Sequence, residues 1–271
     1  MTPTRKERRA AGKVLRDKCA KDSHASWKPH SKRPDPIKLL IESSVGRMAQ
    51  LVPIRYGRMM QSPFAFYRGA AAIMAADLAR TPVSGIRVQA CGDCHLLNFG
   101  LFASVERRLI FDINDFDETL PAPWEWDVKR LASSILIAGR DLGLSDRKAR
   151  DVAESSVRSY RVSLRRLSHM SPLDVWYKLL DIETLIDMAP DAAAKRQDRA
   201  YAKAARRSVV EHLFPKLTVE VGGHPRFVDH PPLIVHSSED DMARRSREAR
   251  GQGSPTGVSY SALTTPVTPG I

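Results

Sequence analysis

The chain has 271 residues, 42% of them hydrophobic, enough to bury a sizeable core as one large domain or two small ones. No apolar run reaches the length of a membrane span, no apolar core follows the basic N-terminus as a secretory signal requires, and three cysteines do not make a disulfide framework, so a cytoplasmic protein is expected. The formal net charge of +12 is uneven: residues 1–33 hold 11 Lys or Arg against Glu7, Asp17 and Asp22.

Residues 1–35 therefore read as a basic, flexible arm. Such an arm can meet nucleic acid or an anionic membrane, but no module with aromatic platforms accompanies it, and nucleic acid is not the expected partner. After Pro34, Ile37, Leu40, Ile41, Val45 and Met48 recur at helical spacing and predict a helix over 35–51. Ser62 and Pro63 open a second helix that runs to Arg80. "IRVQAC" alternates Ile86, Val88 and Ala90 as a half-buried strand would.

Residues 99–114 read as a short hairpin, and 115–123 as a turn-rich excursion. "WEWDVKRLASSILIAGRDLG" predicts a helix with Leu131, Ile135 and Ala138 on one face and a stop at Gly143. Trp124 and Trp126 are expected to anchor its start in the core. Further helices follow over 145–168, 171–189 and 191–214, the last a basic, solvated face. The whole predicts an α+β fold, predominantly α, with a short β-hairpin carrying the acidic motifs. Residues 251–271 contain no charge, and 14 of the 21 are Gly, Pro, Ser or Thr, so a disordered tail is expected there.

"ACGDCHLLNFG", residues 90–100, has two incompatible readings. Cys91-x-x-Cys94-His95 fits the attachment pattern of a c-type haem, and no worse a zinc site or a redox pair. No export signal, no fourth ligand at finger-like spacing and no thioredoxin-like unit supports any of these. Asp93 and Asn98 instead have the D-x-x-x-x-N spacing of a kinase catalytic loop. Phosphoryl transfer needs a carboxylate to orient the attacking hydroxyl and oxygen ligands to hold Mg²⁺. The next hairpin returns "FDINDFDE" to this loop, and Asp115-Phe116-Asp117 resembles the D-F-G element. Asp112, Asp115, Asp117 and Glu118 repel one another, and a cation would relieve them. Arg55, Arg58 and Arg68 are candidates to meet phosphate or a carboxylate.

"LVPIRYGRM", "SPFAFYRGAAAIMAADLA", "CGDCHLLNFG" and "FDINDFDETLPAPWEWDVKRLASS" resemble the bacterial proteins of domain of unknown function 2252, from about residue 12 to residue 235. That family is grouped with the protein-kinase-like superfamily, which includes the aminoglycoside and choline phosphotransferases. Those have G-D-x-H-x-x-N loops like Gly92–Asn98 and a supporting Asp at the start of the following helix. The resemblance implies a kinase-like catalytic lobe over 36–250 that uses Mg²⁺ and ATP on an acceptor the sequence does not name. It makes Asp93 the base, and His95, from the G-D-x-H signature, a residue that orients the loop. Asn98 and Asp115 would be the metal ligands, with Asp112 competing with Asp115. Asp127 would support the loop, and Cys94 would be incidental.

A kinase also needs a Gly-rich loop over the phosphates and a strand-borne Lys. Neither is found upstream of Asp93. In the relatives both are expected to follow the catalytic motifs, beyond the point matching residue 240, and here no Lys occurs after Lys216. The expectation is thus a C-terminally truncated, incomplete phosphotransferase, inactive alone. The alternatives are a non-catalytic kinase-like scaffold and, more remotely, a haem or redox protein.

Overall fold

The computed structural model describes residues 3–106, 108–207 and 217–231. The chain divides into two compact units, Met1–Leu217 and Thr218–Ile271. The first opens with α1 (Arg5–Lys18), inside the arm expected to be flexible. Thr4 and Glu7 form a reciprocal capping box, each side chain taking the other's backbone N–H, and no residue of the helix is buried.

The helix predicted over 35–51 is broken. α2 (Pro36–Glu42) stops where the Ser43 and Ser44 hydroxyls both donate back to the Leu40 carbonyl, and α3 (Val52–Met59) begins after a separate turn. The second predicted helix is likewise two, α4 (Pro63–Gly69) and α5 (Ala71–Leu78), separated at Ala70, whose φ of −112° and ψ of 31° leave the helical region. Leu40, Met59, Ala70 and Ile73 pack into one buried cluster that ties α2, α3 and α5 together at the junction where α4 ends.

β1 (Arg87–Ala90) pairs antiparallel with β4 (Leu120–Pro123), and β2 (Phe99–Ala103) with β3 (Leu109–Ile113). Ile86 and Val88 are exposed, and only Ala90 of the expected alternation is buried. α6 (Trp124–Asp141) runs directly from β4 and packs against α4, α5, β1 and α7 (Asp146–Leu167). Gly143, at φ +78°, ends α6, and the Ser145 hydroxyl caps α7.

α8 (Pro172–Trp176) and α9 (Ile182–Met188) replace the single helix expected over 171–189. The chain leaves the helix between them because the Phe111 amide donates to the Leu180 carbonyl at 2.8 Å and Ile110 bridges Asp181 at the edge of β3. α10 (Ala192–Arg207) covers the first part of the last predicted helix, and 208–214 lie outside the described residues. Ile182, Ile186 and Ala202 form a second buried cluster with Leu101 and Leu109 of the hairpin.

In the second unit β5 (Thr218–Val221) and β6 (His224–Phe227) form a hairpin through Gly222-Gly223, whose φ values of +61° and +80° suit a tight primed turn. The tail at 251–271 lies outside the described residues. The fold is α+β, mostly helical, with small antiparallel sheets. Among the described residues no helix is long and apolar enough to cross a membrane.

Candidate active site

The loop 91–98 joins β1 to β2 and lies against α6. Gly92 takes φ +83°, and a Cβ there would overlap the Glu118 carbonyl oxygen, so the turn into Asp93 requires glycine. Three polar side chains of α6 then hold the loop. Asp127 accepts the Cys91 amide on Oδ2 at 2.8 Å and the Gly92 amide on Oδ1 at 3.1 Å. Arg130 donates from Nε to Asp93 Oδ1 at 2.6 Å, and its Nη2 contacts the same oxygen. Ser134 accepts the Leu96 amide at 3.0 Å. Positions 127, 130 and 134 are i, i+3 and i+7, one face of a helix.

The buried residues of α6 are polar along its first part, Glu125, Arg130 and Ser134, and small at its end, Gly139 and the expected Ala138. Arg130 is 2% exposed and Ser134 fully buried, whereas Leu131 and Ile135 of the expected apolar face are half-buried. Burial of a guanidinium requires near-complete pairing. Arg130 obtains it from Asp93, from the Tyr67 carbonyl at 3.0 Å and from the Tyr67 ring, whose centroid lies 4.6 Å away. Tyr67 donates its hydroxyl to the Arg130 carbonyl at 2.8 Å, and burial pushes its phenol up to about 12.

Within the loop, Asn98 is buried and donates from Nδ2 to the Asp93 carbonyl at 2.7 Å. With the NH₂ engaged, the atom Asn98 has left to offer a cation is Oδ1. His95 is buried, with Nε2 3.7 Å from Asp93 Oδ2 and Nδ1 without a partner. Burial depresses the imidazole below its ordinary value. Asp93 opposes this, and Arg130 and Arg68 reinforce it.

The acidic hairpin end returns to this loop as its spacing predicts. The Asn114 amide donates to the Asn98 carbonyl at 2.8 Å, and the Cys91 thiol donates to the Asp115 carbonyl at 3.4 Å. Asp115 Oδ1 accepts the Asp117 amide, which shapes the turn. Asp112 lies on β3 opposite Gly100, its Oδ1 taking the adjacent Ile113 amide. Glu118 is raised, first by burial and then by the negative charges of Asp93, Asp115 and Asp117.

That crowding fits a small hard cation. Asn98 and Asp115 carry the oxygen atoms that could hold one, on two segments joined by the Asn114–Asn98 backbone bond, and Mg²⁺ needs only one or two protein carboxylates when substrate phosphates complete its shell. Among the described residues no three His, Cys, Asp or Glu converge as a metal site of their own. Cys91, Cys94 and His95 are all buried, and the thiols of Cys91 and Cys94 are free. Burial, then nearby carboxylates, push Cys91 up to about 11, and burial and Asp127 push Cys94 up to about 12.

A cleft of about 430 Å³ opens onto Asp93. Gly92, Asp93 and Glu118 contribute its acidic wall, and Arg47, Arg55 and Arg68 its basic one. Trp126 lines it too, with a buried Nε1 that has no partner. Trp124 instead donates to Ser84 and stacks on Tyr160 of α7. A second, more apolar cleft of about 450 Å³ around Trp27, Ile73 and Leu78 is lined by none of the predicted site residues.

Arg130, Ser134, Tyr67 and Arg47 were not singled out by the sequence. The spacing Asp127-x-x-Arg130-x-x-x-Ser134, which puts three polar side chains on one face of the helix, was the available signal.

Residues 47–252 match the family described as uncharacterized protein conserved in bacteria (DUF2252). No curated protein and no solved structure matches the chain.

Proposed function

Since this chain belongs to the DUF2252 family of bacterial proteins, we propose that it carries the catalytic-loop side of a kinase-like, Mg²⁺-dependent phosphotransferase. Asp93 orients the acceptor hydroxyl. Asn98 and Asp115 would hold the cation, which when bound neutralises charge on the phosphates. The observation that carries the reading is the loop itself. Asp93 reaches a cleft, Asn98 is tied to its carbonyl five residues on, and Asp127 fixes the two preceding amides.

In the reaction the acceptor oxygen forms a bond to the γ-phosphorus. The bond from that phosphorus to the β–γ bridging oxygen breaks, and the hydroxyl proton passes toward Asp93. Arg130 takes only Oδ1 of Asp93, and a carboxylate oxygen has two lone-pair sites, so Oδ2 remains an acceptor for that hydroxyl. His95 positions the carboxylate from the buried side. The haem and redox readings fit less well. Cys91, Cys94 and His95 offer no open face to a porphyrin, and their thiols are shifted away from the reactive thiolate.

The Arg130–Asp93 pair supports a second reading, a non-catalytic scaffold that keeps the loop for its shape. Residues 1–271 alone are expected to consume no ATP, because no Gly-rich loop with a strand-borne Lys is found in the sequence. Phosphorus NMR of ATP with Mg²⁺ and the chain tests this. Robust consumption that Asp93→Asn abolishes would prove the phosphotransferase and overturn the expected inactivity. Robust consumption that Asp93→Asn leaves unchanged would overturn the assigned base.

A further inference from the structure

We infer that the basic wall of the Asp93 cleft is an oxyanion site, and that the acceptor of this enzyme carries a phosphate or carboxylate group besides its hydroxyl. The inference rests on the phosphotransferase reading for the word acceptor, but not for the site.

Arg47, Arg55 and Arg68 reach one cleft from α3, α4 and the turn before α3. No carboxylate pairs with any of them among the described residues. Arg55 spends Nη2 on the Gly69 carbonyl at 2.7 Å and Nη1 on the Ser44 hydroxyl. Arg47 makes a single bond, from Nε to the Ser43 carbonyl at 3.1 Å. Arg68 makes no hydrogen bond or ion pair among the described residues.

Such clustering is unfavourable unless an anion enters. The carboxylates that share the cleft do not neutralise it: Asp93 is bound by Arg130 from behind, and Glu118 lies in the acidic wall with Asp115 and Asp117 near it. Guanidinium forks match the planar oxygens of carboxylate and the oxygens of phosphate. A volume of about 430 Å³ suits a small molecule that spans from the arginines to Asp93. An oxyanion at the basic wall would place the opposite end of such a molecule, with its hydroxyl, against Asp93.

The test is calorimetric titration of the whole chain with inorganic phosphate and, separately, acetate at millimolar concentration. At least one of the two should bind, phosphate alone marking a phosphorylated acceptor and acetate alone a carboxylated one. Arg68→Gln should weaken that binding about tenfold, and Arg47→Gln with Arg68→Gln should remove it. Both side chains are exposed, so these variants keep the fold, which circular dichroism checks. Absence of binding by the unaltered chain, or equal binding by the double variant, would overturn the inference. Asp93→Asn should retain the anion. An Arg68-dependent anion in a protein that binds no Mn²⁺ through Asn98 and Asp115 would leave the site standing and remove the phosphotransferase reading.

Discussion

Arg130, 2% exposed, donates from Nε to Asp93 Oδ1 at 2.6 Å, so the side chain expected to act on substrate is gripped from within the core. Removing the arginine leaves a nearly buried carboxylate uncompensated. Arg130→Met should destabilise the protein by about 3–5 kcal/mol in urea unfolding. Adding Asp93→Asn should recover part of that loss, because the two residues are coupled. A loss under about 1 kcal/mol would mean that the pair does not form in solution.

Asp127 should matter through the backbone it holds. Asp127→Ala frees the Cys91 and Gly92 amides and should cost about 2–3 kcal/mol, while Asp127→Asn keeps one acceptor and should cost less. Hydrogen exchange at these two amides is the local readout. Unchanged protection in Asp127→Ala would show that something else holds the loop.

Cys91 and Cys94 should behave as inert packing residues. Their thiols, pushed up to about 11 and about 12, stay protonated near neutral pH, so native protein should label at these sites far more slowly than unfolded protein. Changing both to Ala should leave the fold and cation binding in place. A visible absorption band lost in the double variant would instead establish a haem or metal site.

Stability should fall as the solution is acidified. Burial depresses His95 below 6.5, and burial followed by Lys129 does the same for His24. The unfolded chain then binds protons at these groups that the folded chain does not. Their contribution is whole above 6.5 and is lost as pH falls through the depressed folded values. Glu118, raised above 4.5, acts in the opposite sense, its contribution lost as pH rises through its folded value. The thermal midpoint should drop between about pH 7.5 and about pH 5.5, and His95→Asn should flatten that drop. An equally steep drop in the variant would remove His95 from the account.

Elements with local punctuation were legible in the sequence. α6 and α7 were marked by Gly143 and Ser145, and the hairpin by two apolar runs around a charged turn, and together they delivered Asp93, Asn98, Asp115 and Asp127 to one region. α1 was missed although Thr4-x-x-Glu7 is a capping-box pattern, because the charge of the arm outweighed it. The break between α4 and α5 had no such mark: Gly69 packs so close to Met59 that a Cβ would overlap its side chain, a tertiary constraint invisible in a run of alanines. Arg130 was passed over for the same reason. A charged residue in a helix is ordinarily solvated, and only the position of the loop reveals that this one faces inward.

The central claim, a cation held at the phosphotransfer loop, is tested most directly by Mn²⁺ titration followed by electron paramagnetic resonance, with Mg²⁺ as competitor. The account predicts one Mn²⁺ per chain, displaced by Mg²⁺, and weakened about tenfold or more by Asn98→Ala and by Asp115→Ala but little by Asp112→Ala. Mn²⁺ binding that is absent in the unaltered chain, or indifferent to Asn98 and Asp115, would contradict it.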